Sequence, residues 1–295
     1  MNKYFPFMAM NAFVISILLS ACSASHSSTT LKESEKKQPK TESVESRDSN
    51  RRVYENNINS ILWFQKSGEA RALYYQAFNT ADIMLEKVLT DKTFEKKPAV
   101  IVDLDETILD NSAYMAALAL NGIEDWSYWD EWSEAMKAKA TPGSVEFLNK
   151  VVKKGVDVFY VSNRYLENVK STKQNLIDLG FPQTEESHML FVDRNASSSK
   201  ESRREEISKT HDIVLLMGDR LGDFSDIFEV SDDEKRNEAV DGLKDKFGKS
   251  FIVLPNPMYG YWVNHLTDNY DKMTTYQKRT ARIKELEVWK TNLIK

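Results

Sequence analysis

Ala99-Val100-Ile101-Val102-Asp103-Leu104-Asp105-Glu106-Thr107 runs an apolar stretch into two carboxylates set two positions apart. The apolar part is short, rich in β-branched residues and without polar alternation, the pattern of a strand covered on both faces. Such a strand ends at a corner, and in open α/β sheets ligands collect outside the carboxyl ends of the strands. Two like charges this close repel unless a cation relieves them. An acidic helix cap would account for one carboxylate, but it leaves the pair, with Thr107 behind it, unexplained.

Further runs have the same character: Val156-Asp157-Val158-Phe159-Tyr160-Val161, Met189-Leu190-Phe191-Val192, Ile213-Val214-Leu215-Leu216-Met217 and Phe251-Ile252-Val253-Leu254. Helix-compatible stretches, such as Ser144 to Lys154 and Glu167 to Leu179, lie between most of them. This alternation predicts an α/β fold with a doubly wound, mainly parallel sheet and helices on both faces. Upstream, Ile61, Phe64, Leu73, Ala77, Ala81, Met84 and Leu85 recur at helical spacing within Arg51 to Asp91, which predicts two helices or one broken helix. Thr275 to Leu293 is again helical and charged, and Asp232 to Asn237 reads as a solvated helix face.

Polar residues gather where these strands end. The second strand leads into Ser162-Asn163-Arg164, the fourth into Gly218-Asp219-Arg220-Leu221-Gly222-Asp223. Asp103, Asp105, Asp219 and Asp223 at one sheet edge suit a hard, oxygen-ligated cation such as Mg²⁺, which keeps waters and shares itself with a phosphate. Gly242 to Ser250 ends like a phosphate-binding P-loop, but five residues separate its glycines and a strand follows it instead of preceding it. The four histidines show no ligand spacing, so neither a histidine phosphatase nor a zinc site is expected.

Jointly, these motifs resemble the haloacid dehalogenase-like (HAD-like) superfamily of phosphotransferases, and within it the class C acid phosphatases, the lipoprotein e family of 5′-nucleotidases. Asp103-Leu104-Asp105-Glu106-Thr107 fits the first motif, Asp-x-Asp-x-Thr; Ser162 fits the second; Gly218-Asp219 with Asp223 fits the fourth, Gly-Asp-x-x-x-Asp. For the third, Lys200 matches the spacing Lys-x-x-Arg-x-x-x-Ile through Arg203 and Ile207, while its rival Lys173 belongs to a charged helix. Similar stretches include Asp110 to Tyr114, Pro142 to Phe147 and Phe247 to Asn256, so the resemblance covers nearly everything from Asn57 onward.

The resemblance implies that Asp103 attacks phosphorus and becomes an aspartyl phosphate, with Asp105 as acid for the leaving alcohol and then base for water. It implies Mg²⁺ on the Asp103 carboxylate, the Asp105 main-chain carbonyl and Asp219, with Asp223 direct or through water. Ser162 and Lys200 are expected on the transferring group, and Thr107 and Asn163 beside the substrate. Residues 114–141 form a cap insertion containing Trp126, Tyr128, Trp129 and Trp132. Trp129 and Tyr259 are expected to sandwich a substrate ring, Trp126 and Trp132 to pack in the core. The expected function is hydrolysis of phosphomonoesters outside the cytoplasm, with nucleoside monophosphates or nicotinamide mononucleotide favoured. The alternatives are a broad aryl-phosphate or phosphotyrosine phosphatase, and a non-catalytic surface lipoprotein that binds haem or a host partner.

At the N-terminus, Phe5 to Ser20 is apolar behind a lone Lys3, the shape of a signal peptide. Leu19-Ser20-Ala21-Cys22 resembles the lipobox of bacterial lipoproteins, in which the cysteine is acylated. Cys22 is the single cysteine, so no intramolecular disulfide is available. Expected boundaries are a signal over 1–21, a polar tether over 22–50 too poor in aliphatics to fold, and a phosphatase domain over 51–295. The lipid would hold the protein on the cell membrane or outer membrane. A net charge of −5 argues against nucleic acid as a partner, and a homodimer is left open.

Overall fold

A computed structural model describes residues 57–289, apart from Glu124 and Asp268. The signal, the tether and lipidation at Cys22 lie outside the described residues, as do residues 290–293 of the last expected helix, which already ends at Lys284 with Glu285 as its cap.

Helices α1 (Ile58–Lys66) and α2 (Gly68–Asp91) open the fold. Their break is local chemistry: Ser67 ends α1 in an extended conformation, and its hydroxyl accepts the Ala70 N–H at 2.9 Å, capping α2. Tyr74, Ala77, Phe78, Ala81 and Leu85 bury one face of α2. Leu73, expected on that face, is exposed, and Tyr74 takes its place.

Strands β1 (Lys97–Val102), β4 (Asp157–Tyr165), β5 (Met189–Val192), β6 (His211–Gly218) and β7 (Phe251–Val253) form one sheet in the order β5-β4-β1-β6-β7. Every pairing is parallel. The predicted doubly wound α/β architecture is therefore the observed one. Along β1, Val100 and Val102 enter the core shared with α2, α5 (Ser144–Lys153) and α6 (Val169–Leu179). Ala99 and Ile101 enter the opposite core, with Ile207 of α7 (Glu201–Ser208) and Phe224, Phe228 and Phe251. This two-sided burial is why β1 shows no polar alternation. Gly180 ends α6 at φ 85, a left-handed stop that glycine adopts without steric cost.

The chain winds from β1 through β4 to β5, then returns to the other side of β1 for β6 and β7. The switch point falls between β1 and β6, where open sheets of this type bind ligands. Over that edge lie the short antiparallel pair β2 (Leu109–Asp110) and β3 (Lys139–Ala140), with α3 (Ser112–Asn121) and α4 (Trp129–Ala135) between them. Helix α8 (Asp233–Gly242) covers the expected charged run, but Arg236 on it is buried. Two later helices, α9 (Tyr261–Asn264) and α10 (Thr275–Lys284), complete the described chain. Among the described residues no helix is long and apolar enough to cross a membrane.

Candidate active site

Asp103 directly follows β1, and its N–H donates to the Met217 carbonyl of β6 at 2.9 Å, fixing the corner on the switch point. The chain then turns tightly. The N–H groups of Ile108 and Leu109 both reach the Leu104 carbonyl, at 2.9 and 2.8 Å. The turn puts Glu106 at φ 56, an unfavourable region for a side chain with a Cβ. Two neighbours hold it there: the Tyr74 hydroxyl donates to the Glu106 carbonyl, and the Asn111 N–H donates to Glu106 Oε1 at 2.8 Å. Burial above all, then the charges of Asp105 and Asp219, raises the Glu106 carboxyl well above the usual range.

Lys200, immediately ahead of α7, extends a buried ammonium to both Asp103 and Asp223, the latter at 2.6 Å. Burial opposes its charge, but the two carboxylates prevail and raise its pKa. The same burial pushes Asp103 up to about 6; Lys200 pulls against it, while Asp223 and Asp105 add to the rise. Asp219, raised for the same reason, accepts Asn256 Nδ2 at 2.8 Å and Thr107 Oγ1 at 3.3 Å. Asp223 also accepts the Arg220 N–H at 2.9 Å. Gly218 leaves room for it, since a Cβ there would collide with the Asp223 carboxylate.

Asp103, Lys200, Asp219 and Asp223 line a cleft of about 470 Å³ together with Asp105, Asn163, Arg164, Trp129 and Tyr259. One carboxylate oxygen from each of Asp103, Asp219 and Asp223 lies within 4.8 Å of the others. This all-oxygen donor set fits a hard divalent cation. The burial that raises Asp103 and Asp219 is a cost that such a cation relieves.

Several expected site residues stand differently from their sequence reading. Ser162 is fully buried behind the cleft wall; its Oγ accepts the Arg164 N–H at 3.1 Å and its carbonyl accepts Arg203 Nη1 at 2.6 Å. Thr107 is also fully buried, and its hydroxyl points at Asp103 and Asp219, so it supports the acids rather than lining the cleft. Asn163 reaches the cleft, its Oδ1 taken by Arg203 Nη2 at 2.6 Å. The arginine three residues after Lys200 thus fastens the end of β4 to α7. Trp126, expected in the core, is 54% exposed and lines the cleft. Its ring meets Trp129 at 5.5 Å and Tyr259 at 5.1 Å, nearly perpendicular to both. Trp132 packs against the core and donates from Nε1 to Asn111 at 2.8 Å.

Sequence reasoning left Arg164, Asn111 and Asn256 without roles. Arg164, only 1% exposed at its side chain, donates to Asp105 from Nη2 at 2.7 Å and from Nε at 3.0 and 3.2 Å. Nothing in the spacing of these residues announces their meeting, because each comes from a different segment.

A parallel sheet with its acids gathered around a buried lysine at the switch point has the α/β architecture of the HAD-like class. The chain belongs to the HAD superfamily, subfamily IIIB (acid phosphatase), whose family model matches residues 20–262. The structure of the class C acid phosphatase from Bacillus anthracis is 40% identical, with a TM-score of 0.76, over 81% of this chain and 99% of that one. A second structure of the class C acid phosphatase from Bacillus anthracis, with tungstate bound, is 41% identical, with a TM-score of 0.77, over 80% and 99%. A stem 31 kDa glycoprotein of Glycine max is 29% identical over 166 residues, 54% of this chain and 58% of that protein. This chain therefore spans less than two thirds of the curated relatives it matches.

Proposed function

We propose that this chain hydrolyses phosphomonoesters outside the cytoplasm by way of a phosphoryl group carried on Asp103. The observation that carries this reading is the convergence on one cleft of Asp103, the Lys200 ammonium that touches it, and Asp105 two residues on. Asp103 attacks phosphorus, and the P–O bond to the alcohol breaks with its electron pair on the leaving oxygen. That oxygen takes a proton from Asp105; water then attacks the phosphorus as Asp105 removes its proton, and the P–O bond to Asp103 breaks with its electron pair on the carboxylate, releasing phosphate. Lys200 offsets negative charge beside the transferring group. Asp103, Asp219, Asp223 and the Asp105 carbonyl would hold Mg²⁺, which when bound draws charge from the phosphoryl oxygens. Tungstate, a phosphate-shaped oxyanion, is bound in a structure of a relative that is 41% identical. A phosphate-release screen over nucleotides, sugar phosphates and phosphotyrosine, with and without Mg²⁺, tests the reading. No release from any of them would sink it and favour a binding lipoprotein.

Nucleoside monophosphates and nicotinamide mononucleotide are the favoured substrates, because exposed aromatic faces border the phosphate site. Since Trp126 touches both Trp129 and Tyr259, a base would meet Trp126 as well as the expected pair. A stacked base contributes about 1–3 kcal/mol per aromatic face. Trp126→Ala should therefore lower kcat/KM for nucleoside monophosphates by about tenfold, leaving glycerol phosphate little changed. An equal loss on both substrates would make the ring packing only, and a broad phosphatase would be the better reading.

The lipid anchor at Cys22 is part of the same proposal, supported by the lipobox-like Leu19-Ser20-Ala21-Cys22. Cys22→Ser should move the protein from the membrane to the soluble fraction with turnover unchanged. Equal membrane association of the two forms would remove the anchor from the reading.

A further inference from the structure

We propose that Arg164 is a positioning residue that dedicates one oxygen of Asp105 to anchorage and leaves the other, Oδ2, to exchange the proton. The inference rests on the acid/base role given to Asp105 above. Asp105 Oδ1 accepts three donors: Arg164 Nη2 at 2.7 Å, Arg164 Nε at 3.0 Å and Asn111 Nδ2 at 2.8 Å. Among the described residues, Oδ2 accepts only the same Nε, at 3.2 Å. A carboxylate oxygen has two lone pairs, so Oδ1 is saturated and Oδ2 is the atom with capacity for a proton.

The fork is itself held from the cap. Arg164 Nη1 donates to Ser133 Oγ of α4 at 3.2 Å and to Thr172 Oγ1 of α6 at 3.0 Å. Its guanidinium also lies 5.3 Å from the Trp129 ring centroid. Asn111, the other anchor of Oδ1, accepts from Trp132 Nε1 of α4 and from Arg164 Nη2. The orientation of Asp105 therefore depends on how α4 sits, and α4 begins with Trp129, one of the aromatic rings that line the cleft. During transfer, the leaving oxygen receives the electron pair of the broken P–O bond and the proton of Oδ2. The resulting carboxylate stays in the fork and takes a proton from water through the same Oδ2.

The test compares benzyl phosphate with p-nitrophenyl phosphate. Each carries one ring, so stacking cancels, but p-nitrophenolate leaves without a proton and benzyl alkoxide does not. The readout is kcat/KM, which covers the steps through the first P–O cleavage. General acid catalysis supplies about 10²–10⁴-fold, so a misoriented acid should forfeit a measurable part. Arg164→Lys keeps the charge but loses the planar fork; it should lose about tenfold more on benzyl phosphate than on p-nitrophenyl phosphate. Ser133→Ala, which leaves Asp105 and its direct partners in place, should show a smaller loss in the same direction, and decides the matter if Arg164→Lys does not fold. Equal losses on both substrates, where Asp105→Asn discriminates between them, would overturn the positioning role and leave the proposed function standing. If Asp105→Asn itself does not discriminate, the acid/base reading fails and the role of Arg164 falls with it.

Discussion

Asp103→Asn reduces phosphate release to background while the protein keeps its fold. The amide cannot attack phosphorus, so no covalent intermediate forms. It also replaces one of the three carboxylates whose oxygens gather within 4.8 Å by a neutral amide, weakening the cation site at the same time. The fold should survive because the exchange removes a buried charge whose neighbours Asp223 and Asp105 repel it. Lys200 keeps its contact with Asp223 at 2.6 Å, so no buried ammonium is stranded. Release of phosphate from p-nitrophenyl phosphate, measured beside the thermal unfolding midpoint, checks both halves. Substantial turnover in a folded Asp103→Asn protein, or phosphate trapped on another residue, would defeat the assignment.

The strands of the sheet were legible because burial on both faces writes itself into single segments, whereas their order β5-β4-β1-β6-β7 came only from the structure. Met189–Val192 reads as a strand without any knowledge of its neighbours, and the structure gives the same residues. The acids at the strand ends were legible for a related reason: each follows its own apolar run, and a parallel sheet brings all such ends to one edge. Lys200, and Arg203 with it, was found through the resemblance to the family's Lys-x-x-Arg-x-x-x-Ile motif, although the task of Arg203 was not.

The rest depends on contacts between segments far apart in sequence. Arg164 and Asp105 are 59 positions apart, Asn256 and Asp219 are 37. No periodicity encodes such pairs. Arginine after a strand reads as an ordinary turn residue until the fold shows which carboxylate it faces. The aromatic wall misled for a different reason. Composition tells that Trp126, Trp129 and Trp132 are large and apolar, but not which of them faces the cleft. That depends on the short α4, whose preceding residue Tyr128 sits at φ 62, a conformation its sequence does not advertise.

Chelation should abolish hydrolysis, and Mg²⁺ should restore it. Seven acids and four cationic side chains line the cleft, so without a metal ion a phosphate dianion enters an excess of negative charge. Within the acid cluster the carboxylates are not equivalent. Asp223 already serves Lys200 and the Arg220 N–H, which leaves it less capacity for a cation. Among the described residues, Asp219 has no cationic partner at hydrogen-bond distance, its contacts being the amide of Asn256 and the hydroxyl of Thr107. Burial and the charges of Asp103 and Asp223 make its ionised form costly, and a divalent cation is the group that reverses that cost. Asp219→Asn should therefore raise the Mg²⁺ concentration for half-maximal rate by about tenfold, the loss seen when one supporting group of a metal site is removed, and by more than Asp223→Asn does. Titrating phosphate release against Mg²⁺ for the wild type and both variants gives the order. Full activity after exhaustive chelation would overturn the metal site, and a greater requirement in Asp223→Asn would exchange the roles of the two acids.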